Sequence, residues 1–273
     1  MAPLPRTYLF VPGNRPERFD KALATGADAV IVDLEDAVPP EGKMEARAAV
    51  ARWLAPQRPV VVRINAPGTL WFAEDIALCA LAGVAAVMVP KAEQVADLHR
   101  IATVAVDRPM LPLVETAAGF DNARTLARAE GVQRLVFGSI DFQLDLGMQG
   151  GDDELLPFRS QLVLVSRLAG LAPPVDGVTA AIDDAELLAR DTARARRLGF
   201  GAKLCIHPRQ VETVKRGFMA TQQELAWARR VLEAAARAHG AAVQLDGGMV
   251  DRPVILRAQA IVDEFEARDK AGP

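Results

Sequence analysis

The sequence predicts an α/β fold, a (β/α)8 TIM barrel with a C-terminal helical lid extension. The chain contains eight short apolar or β-branched runs, and helical patterns follow the earlier ones. Repeated strand–helix units of this kind imply parallel strand pairing. Eight units within about 210 residues, with no glycine-rich dinucleotide fingerprint after the first run, favour a closed barrel over an open sheet.

The predicted strands appear in an unbroken order along residues 1–220. They read TYLFV, AVIVDL, VVVRIN, AAVMVP, MLPLVE, RLVFGS, PPVDGV and AKLCIH, of which the seventh has the weakest strand character. Ala, Leu, Glu and Arg recur at helical spacing over residues 16–25, 43–54 and 95–106. These stretches predict a crossover helix after each strand.

The tail beyond the barrel is longer than a minimal barrel requires. Two further helical stretches, at residues 221–239 and 254–268, are joined by the glycine-containing segment QLDGGMVDRP. We therefore expect residues 1–220 to form the barrel and residues 221–273 to form a helical extension.

Composition excludes several classes of function. The formal net charge is −3 and the basic residues are spread along the chain, so no electrostatic footprint for nucleic acid or an acidic membrane is present. The N-terminal segment has no signal-peptide apolar core, and no apolar run approaches the ~20 residues that span a bilayer. We expect a cytoplasmic protein. Cys79 and Cys205 lie in apolar patterns outside any metal-ligand motif and are predicted to be buried, reduced thiols.

Polar residues follow most of the predicted strands, at the end of a barrel where active sites are built. Several carboxylates at one mouth need a cation or basic partners to neutralise them, and an oxygen-only ligand set favours Mg²⁺ over Zn²⁺. The candidates, in strand order, are Asn14, Arg15, Asp33, Glu35, Asp36, Arg63, Asn65, Lys91, Glu115 and Asp141.

Each candidate also has a purely structural interpretation. Glu115 could be satisfied by backbone amides at a helix start, and Asp141 could cap the helix after it. Arg63 could pair with Glu35 across the barrel mouth, and Lys91 could pair with Asp36, as a purely structural network. Spacing alone therefore leaves the metal site and the structural network both open.

Seven segments in order resemble the citrate lyase β-subunit and malyl-CoA lyase family of the HpcH/HpaI aldolase superfamily. They are RTYLFVPGNRPERFDKALATGADAVIVDLEDAV, VVRIN, VMVPKAE, PLVETAAGF, VFGSIDF, KLCIHPRQV and the lid segment GGMVDRP. The resemblance covers nearly the whole chain. It implies a barrel followed by a lid, assembled as a homotrimer or hexamer in which the lid of one subunit covers the site of another.

The resemblance also implies roles for particular residues. Glu115 and Asp141 match the positions that bind Mg²⁺, and Arg63 matches the arginine that holds the carboxylate of the 2-oxo acid. Arg15 and Lys21 match positions that meet the coenzyme A phosphates.

Two carboxylates are candidates for proton transfer. Asp251 matches the lid aspartate and is the expected proton carrier, although an Asp before Arg-Pro is also an ordinary helix cap. Glu35, at the end of the second predicted strand, is the next candidate.

The implied reaction is magnesium-dependent cleavage of a 3-hydroxy-3-carboxyacyl thioester, of the citryl-, malyl- or citramalyl-CoA type. Its products are a 2-oxo acid, such as oxaloacetate or glyoxylate, and an acyl thioester carried by coenzyme A or an acyl carrier. Two alternatives stay open: a 4-hydroxy-2-oxo acid aldolase, and a non-catalytic subunit that retains the metal site. The aldolase uses a histidine near the barrel mouth, and here no histidine precedes His99.

Overall fold

The computed structural model describes residues 4–237 and 243–271, and the chain divides into two compact units, Met1–Phe218 and Met219–Pro273. The first unit is a closed barrel in which each strand pairs in parallel with the next and β8 closes on β1. All eight predicted strands are confirmed: β1 (Thr7–Pro12), β2 (Ala29–Asp33), β3 (Val60–Arg63), β4 (Val84–Val89), β5 (Met110–Val114), β6 (Val136–Phe137), β7 (Val175–Asp176) and β8 (Ala202–Cys205).

The barrel strands are buried on both faces, which explains why they read as continuous apolar runs rather than alternating ones. One set of side chains fills the barrel interior, including Tyr8, Ile31, Val61, Met88, Leu111 and Leu204. The alternate set packs against the surrounding helices. Strand β7 has only two residues, because Pro173 and Pro174 before it have no N–H to donate to a neighbouring strand.

Helices follow the strands as crossover connections. The expected helices at residues 43–54 and 95–106 are α2 and α4, whereas residues 16–25 form a 3-10 turn and then a short helix, α1. The helices of this unit are α1 (Phe19–Leu23), α2 (Lys43–Trp53), α3 (Phe72–Cys79), α4 (Val95–Val104), α5 (Ala117–Asp121), α6 (Ala123–Leu126), α7 (Ser139–Asp145), α8 (Asp152–Leu168), α9 (Ala185–Leu198) and α10 (Pro208–Phe218).

The second unit contains two helices and a β-hairpin: α11 (Gln222–Arg237), β9 (Val243–Leu245), β10 (Gly248–Val250) and α12 (Arg252–Ala271). Apolar residues of the two helices form its core, with Ala228, Val231 and Ala258 fully or almost fully buried. The predicted end of the first helix at His239 lies outside the described residues.

The segment expected to be a simple connection is instead a hairpin turn. Asp246 and Gly247 both have positive φ angles, 50° and 79°, at the centre of the antiparallel pair β9–β10. An Asp-Gly pair between two short runs is the sequence preference of a type I′ turn. Asp246 and Gly247 therefore close a hairpin.

Among the described residues, no helix has the length and apolar character needed to cross a bilayer. Cys79 and Cys205 are both free and buried, which confirms the expected buried thiols. Burial raises the pKa of the Cys205 thiol to about 12 and raises the pKa of Cys79 as well, so both sulfurs stay protonated at neutral pH.

Candidate metal and substrate site

A cavity of about 420 Å³ opens where the barrel strands end. Because active sites of such barrels lie at the C-terminal ends of the strands, this cavity is the candidate site. The charged side chains that line it come from four of the predicted strand ends: Asp33, Asp36, Arg63, Glu115 and Asp141.

Arg63, the last residue of β3, is held by Asp33, the last residue of β2. Its Nε donates to Oδ1 of Asp33 at 2.7 Å and its Nη2 donates to Oδ2 at 2.6 Å, while the two residues are also register partners in the sheet. Phe10 on β1 lies 4.8 Å from the guanidinium carbon and covers its face. Burial opposes the charged form, but the bonds and charge of Asp33 outweigh it and raise the pKa of Arg63.

The Nε–Nη2 edge of the Arg63 guanidinium is thus already bonded to Asp33. The family resemblance implies that Arg63 holds the carboxylate of the 2-oxo acid. Only Nη1 points elsewhere, 3.0 Å from Oε2 of Glu35 and 3.5 Å from Oδ2 of Asp36. A substrate carboxylate can therefore meet one nitrogen of Arg63 rather than two, since the Nε–Nη2 edge belongs to Asp33.

Glu35 is buried between two cations. Its Oε1 lies 3.1 Å from Nζ of Lys91, and its Oε2 lies 3.0 Å from Nη1 of Arg63. That Oε2 atom is buried, and its geometry to Arg63 is out of line for a hydrogen bond, so it has no hydrogen-bond partner among the described residues. Burial raises the pKa of the Glu35 carboxyl, and the charge of Arg63 partly offsets this effect. Lys91 thus pairs with Glu35, not with Asp36.

Glu115 follows β5 directly and is 2% exposed. Its Oε1 accepts a hydrogen bond of 2.8 Å from the backbone N–H of Lys91, whose φ of 45° is unusual for a residue with a side chain. Thr116, not Glu115, caps α5, because its hydroxyl accepts from the N–H of Gly119. Burial raises the pKa of Glu115 to about 8.

Asp141 lies in the first turn of α7, half-buried, and faces the same cavity. Burial is the main cause of the raised pKa of Glu115, and the negative charges of Glu35 and Asp141 raise that pKa further. The carboxylates are therefore electrostatically coupled. Gly138 precedes the helix. A Cβ at this position would lie 2.5 Å from both Cβ and Oε2 of Glu115, so only glycine leaves room for that carboxylate.

The donor set fits a hard divalent cation. No group of three or more His, Cys, Asp or Glu side chains within the described part of the chain is arranged to hold a metal. Glu115 and Asp141 instead form a pair, and Mg²⁺ is commonly bound by one or two carboxylates with waters and substrate as its other ligands. Glu115 is buried, no cationic side chain in the described part of the chain donates a hydrogen bond to it, and a metal ion would compensate its charge.

Arg15 and Lys21 do not line the cavity. Both are exposed, Arg15 in the loop after β1 and Lys21 on α1. Neither side chain has an ion pair or hydrogen bond within the described residues. They are accessible to an external anion.

Asp251 belongs to the second unit and precedes α12. Its Oδ1 accepts from the N–H of Val254 at 3.3 Å, which is the contact of a helix cap. Asp251 therefore caps helix α12 in the structure, as its structural interpretation predicted.

Some lining residues were not singled out from sequence. Phe10, Ser139 and Ile206 face the cavity beside the charged groups. The sequence indicates these residues only by their position at or after a strand. Apolar and hydroxyl side chains at such positions cannot be distinguished from ordinary core residues.

The chain was compared with known proteins. Residues 6–208 match the family model described as HpcH/HpaI aldolase/citrate lyase. A citrate lyase subunit beta-like protein of Deinococcus radiodurans is 39% identical over 94% of this chain and 96% of its own length. A (3S)-malyl-CoA thioesterase of Cereibacter sphaeroides is 34% identical over 96% and 95% of the two chains.

A solved structure agrees closely with the fold. Protein CitE from Mycobacterium tuberculosis, in complex with magnesium, acetoacetate and coenzyme A, has a TM-score of 0.86 and 36% identity, and the match covers 95% of this chain and 97% of that one. The family resemblance and the expectation of a lyase-class enzyme are both confirmed. The chain belongs to the HpcH/HpaI aldolase/citrate lyase family.

Proposed function

We propose that this chain is a magnesium-dependent carbon–carbon lyase that cleaves a 3-hydroxy-3-carboxyacyl thioester of coenzyme A. The products are a 2-oxo acid and an acyl thioester. The observation that carries the proposal is the cavity at the strand ends, where four carboxylates and one guanidinium meet. Support also comes from the related CitE structure, whose complex contains magnesium and coenzyme A.

Glu115 and Asp141 would hold Mg²⁺. There the ion would supply Lewis acidity, which would lower the pKa of the substrate hydroxyl and stabilise the oxygen that becomes a carbonyl. Oε1 of Glu115 already accepts from the backbone of Lys91, so Oε2 is the oxygen left for a ligand. The fixed backbone donor orients the carboxylate before any ligand arrives, as outer contacts of metal ligands commonly do.

Arg63 would bind the substrate carboxylate through Nη1, the nitrogen that Asp33 does not use. Because Asp33 fixes the guanidinium plane and Phe10 covers one face, this nitrogen has a defined direction. The arrangement orients the substrate by a charge-assisted hydrogen bond.

The cleavage requires two proton movements. As the bond between the second and third carbons breaks, its electron pair passes to the second carbon, the α-carbon of the acyl thioester, and forms an enolate. The hydroxyl on the third carbon loses its proton, and the α-carbon gains one. We assign the proton for the α-carbon to Asp251, on the family resemblance. Glu35 is the alternative within the barrel, because its Oε2 is buried and accepts no hydrogen bond among the described residues.

Coenzyme A would meet Arg15 and Lys21. Both are exposed cations without a protein partner in the described part of the chain, which leaves them available for phosphate oxygens. The assembly we propose is a homotrimer or homohexamer, and analytical ultracentrifugation of the purified chain measures it.

The structure offers no histidine for the competing aldolase function among the residues that line the cavity. His99 lies on α4 and lines a separate cavity, together with residues that lead into β5 and β6 at the opposite end of the strands. His207 follows the lining residue Ile206, and its Nδ1 accepts from the N–H of Arg209 at 3.2 Å. The lyase is the better supported activity, since the related CitE complex contains magnesium and coenzyme A.

A product assay of the purified chain tests the proposal. Malyl-, citramalyl- and citryl-CoA are each supplied with Mg²⁺ or with EDTA, and the 2-oxo acid and acetyl-CoA are both quantified. We expect equal amounts of the two products, loss of activity in EDTA, and recovery when Mg²⁺ is restored. Free coenzyme A without a 2-oxo acid would indicate thioester hydrolysis, the activity for which the Cereibacter relative is named. No turnover would favour a non-catalytic subunit.

A further inference from the structure

We propose that the natural substrate carries hydrogen or a methyl group at its third carbon, so that the 2-oxo acid released has one carboxylate. This inference rests on the lyase function proposed above. The three candidate thioesters share a carboxylate, a hydroxyl and an acyl arm at that carbon. They differ only in the fourth substituent, which is hydrogen in malyl-CoA, methyl in citramalyl-CoA and a carboxymethyl group in citryl-CoA.

One sector of the cavity is apolar. It is formed by three neighbouring strands, since β7 pairs with β8 and β8 pairs with β1. The side chains that this sector presents to the cavity carry no charge: Phe10, Pro12, Val178, Leu204 and Ile206. Leu113 and Phe137 add further apolar surface from β5 and β6. A hydrogen or methyl substituent suits this wall.

The opposite sector has no cation to spare for a second carboxylate. Arg63 is the only cation among the described residues that line the cavity. Asp33 occupies two of its nitrogens, and the third already lies near Glu35 and Asp36. Lys91 stands nearby, but its ammonium pairs with Glu35 at 3.1 Å.

The charge of the lining leads to the same conclusion. When a bound divalent cation keeps Glu115 ionised, the four carboxylates and one guanidinium of the lining have a formal charge of −3, and the cation reduces the total to −1. A substrate that brings one carboxylate to the metal and Arg63 is accommodated. A second carboxylate would meet either an apolar wall or a negative one, and an unpaired charge in such a place is costly.

Parallel cleavage assays test the inference. We expect the kcat/KM for malyl-CoA or citramalyl-CoA to exceed that for citryl-CoA by at least about 100-fold, the factor that an uncompensated buried charge produces. Preferred or equal cleavage of citryl-CoA would overturn the inference while the proposed lyase function stands. If none of the three thioesters is cleaved, the lyase function is overturned and this inference with it.

A charge placed in the apolar sector provides a second test. Ile206 is 39% exposed and lines the cavity, so Ile206→Arg introduces a cation with little effect on the core. Relative to the matched control Ile206→Gln, we expect the arginine variant to raise kcat/KM for citryl-CoA over citramalyl-CoA at least tenfold. Calorimetry with Mg²⁺ present should show the same shift in affinity for oxaloacetate over pyruvate. Equal ratios in the arginine and glutamine variants would contradict the proposed role of this wall.

Discussion

The backbone N–H of Lys91 donates to Oε1 of Glu115 at 2.8 Å, while the side chain of Lys91 reaches Oε1 of Glu35 at 3.1 Å. One residue therefore holds two carboxylates of the candidate site. Its positive φ of 45° is a conformation that a lysine adopts only when the surroundings impose it. The contacts explain the conformation, since both bonds depend on the turn that follows β4.

We expect Lys91→Met to lower turnover by about 10- to 100-fold, the usual effect of losing a contact that orients a catalytic group. Glu35 loses its ammonium partner, while the backbone bond to Glu115 is kept, so Mg²⁺ affinity should change less than kcat. Steady-state kinetics and calorimetry measure the two. Lys91→Arg keeps a cation and should recover part of the rate. Wild-type turnover in Lys91→Met would remove this positioning role.

Glu115 makes the stability of the metal-free protein depend on pH. Its pKa of about 8 lies above the ordinary value of 4.5, so between these values the folded state keeps a proton that the unfolded state releases. The free energy of unfolding must then fall as pH rises through this window, by up to about 1.4 kcal/mol per pH unit. Glu115→Gln has no such proton and should lack this decline.

Urea unfolding in EDTA, at about pH 6 and about pH 8, measures the effect of Glu115. The wild-type protein should lose stability relative to Glu115→Gln at the higher pH, and Mg²⁺ should restore it. Parallel pH dependence in the two proteins would show that Glu115 titrates normally.

Arg63→Lys should reduce both kcat/KM and stability although it keeps the charge. An ammonium cannot donate two parallel bonds to Asp33 and also lie beside Glu35, so buried carboxylates lose partners. Breaking such a pair costs about 3–5 kcal/mol at most sites of this kind. Arg216→Lys, at an exposed pair with Glu212, is the matched control and should be close to wild type. A wild-type specificity constant in Arg63→Lys would contradict the anchoring role.

The role of Asp251 can be determined with variants that separate helix capping from proton transfer. Asparagine is as good a helix cap as aspartate but cannot transfer a proton, so Asp251→Asn should keep its melting temperature and lose about 100- to 10,000-fold in rate. Asp251→Ala should lose the same activity and about 1 kcal/mol of stability as well. If Asp251→Asn stays active, the residue is a cap only and Glu35 becomes the proton carrier to test.

The barrel could be predicted because each strand is buried on both faces and is read as an apolar run. The site was partly predictable for the same reason, since the end of a strand fixes where Glu115 and Arg63 must lie. The sequence could not show which carboxylate pairs with each cationic side chain. Asp33 takes the fork of Arg63 because β2 and β3 place them side by side, a register that no single sequence displays.

Local turn chemistry was readable in principle but was interpreted differently. The sequence predicts a glycine-containing connection between the last two helices, whereas the positive φ angles of Asp246 and Gly247 close a hairpin. Arg15 and Lys21 illustrate the limit of motif matching, because both lie on the surface and only a bound ligand can give them a role.

Magnesium titration of the metal-free protein tests the central claim most directly. Calorimetry should show that Glu115→Gln and Asp141→Asn each weaken Mg²⁺ binding, because a carboxylate ligand is replaced by a neutral amide of similar size. Asp145→Asn is the control, since the Asp145 carboxylate accepts from the N–H of Ala117, a bond that an asparagine oxygen can also accept. The account predicts loss of affinity in the first two variants and wild-type affinity in the third. Unchanged affinity in both Glu115→Gln and Asp141→Asn would contradict it.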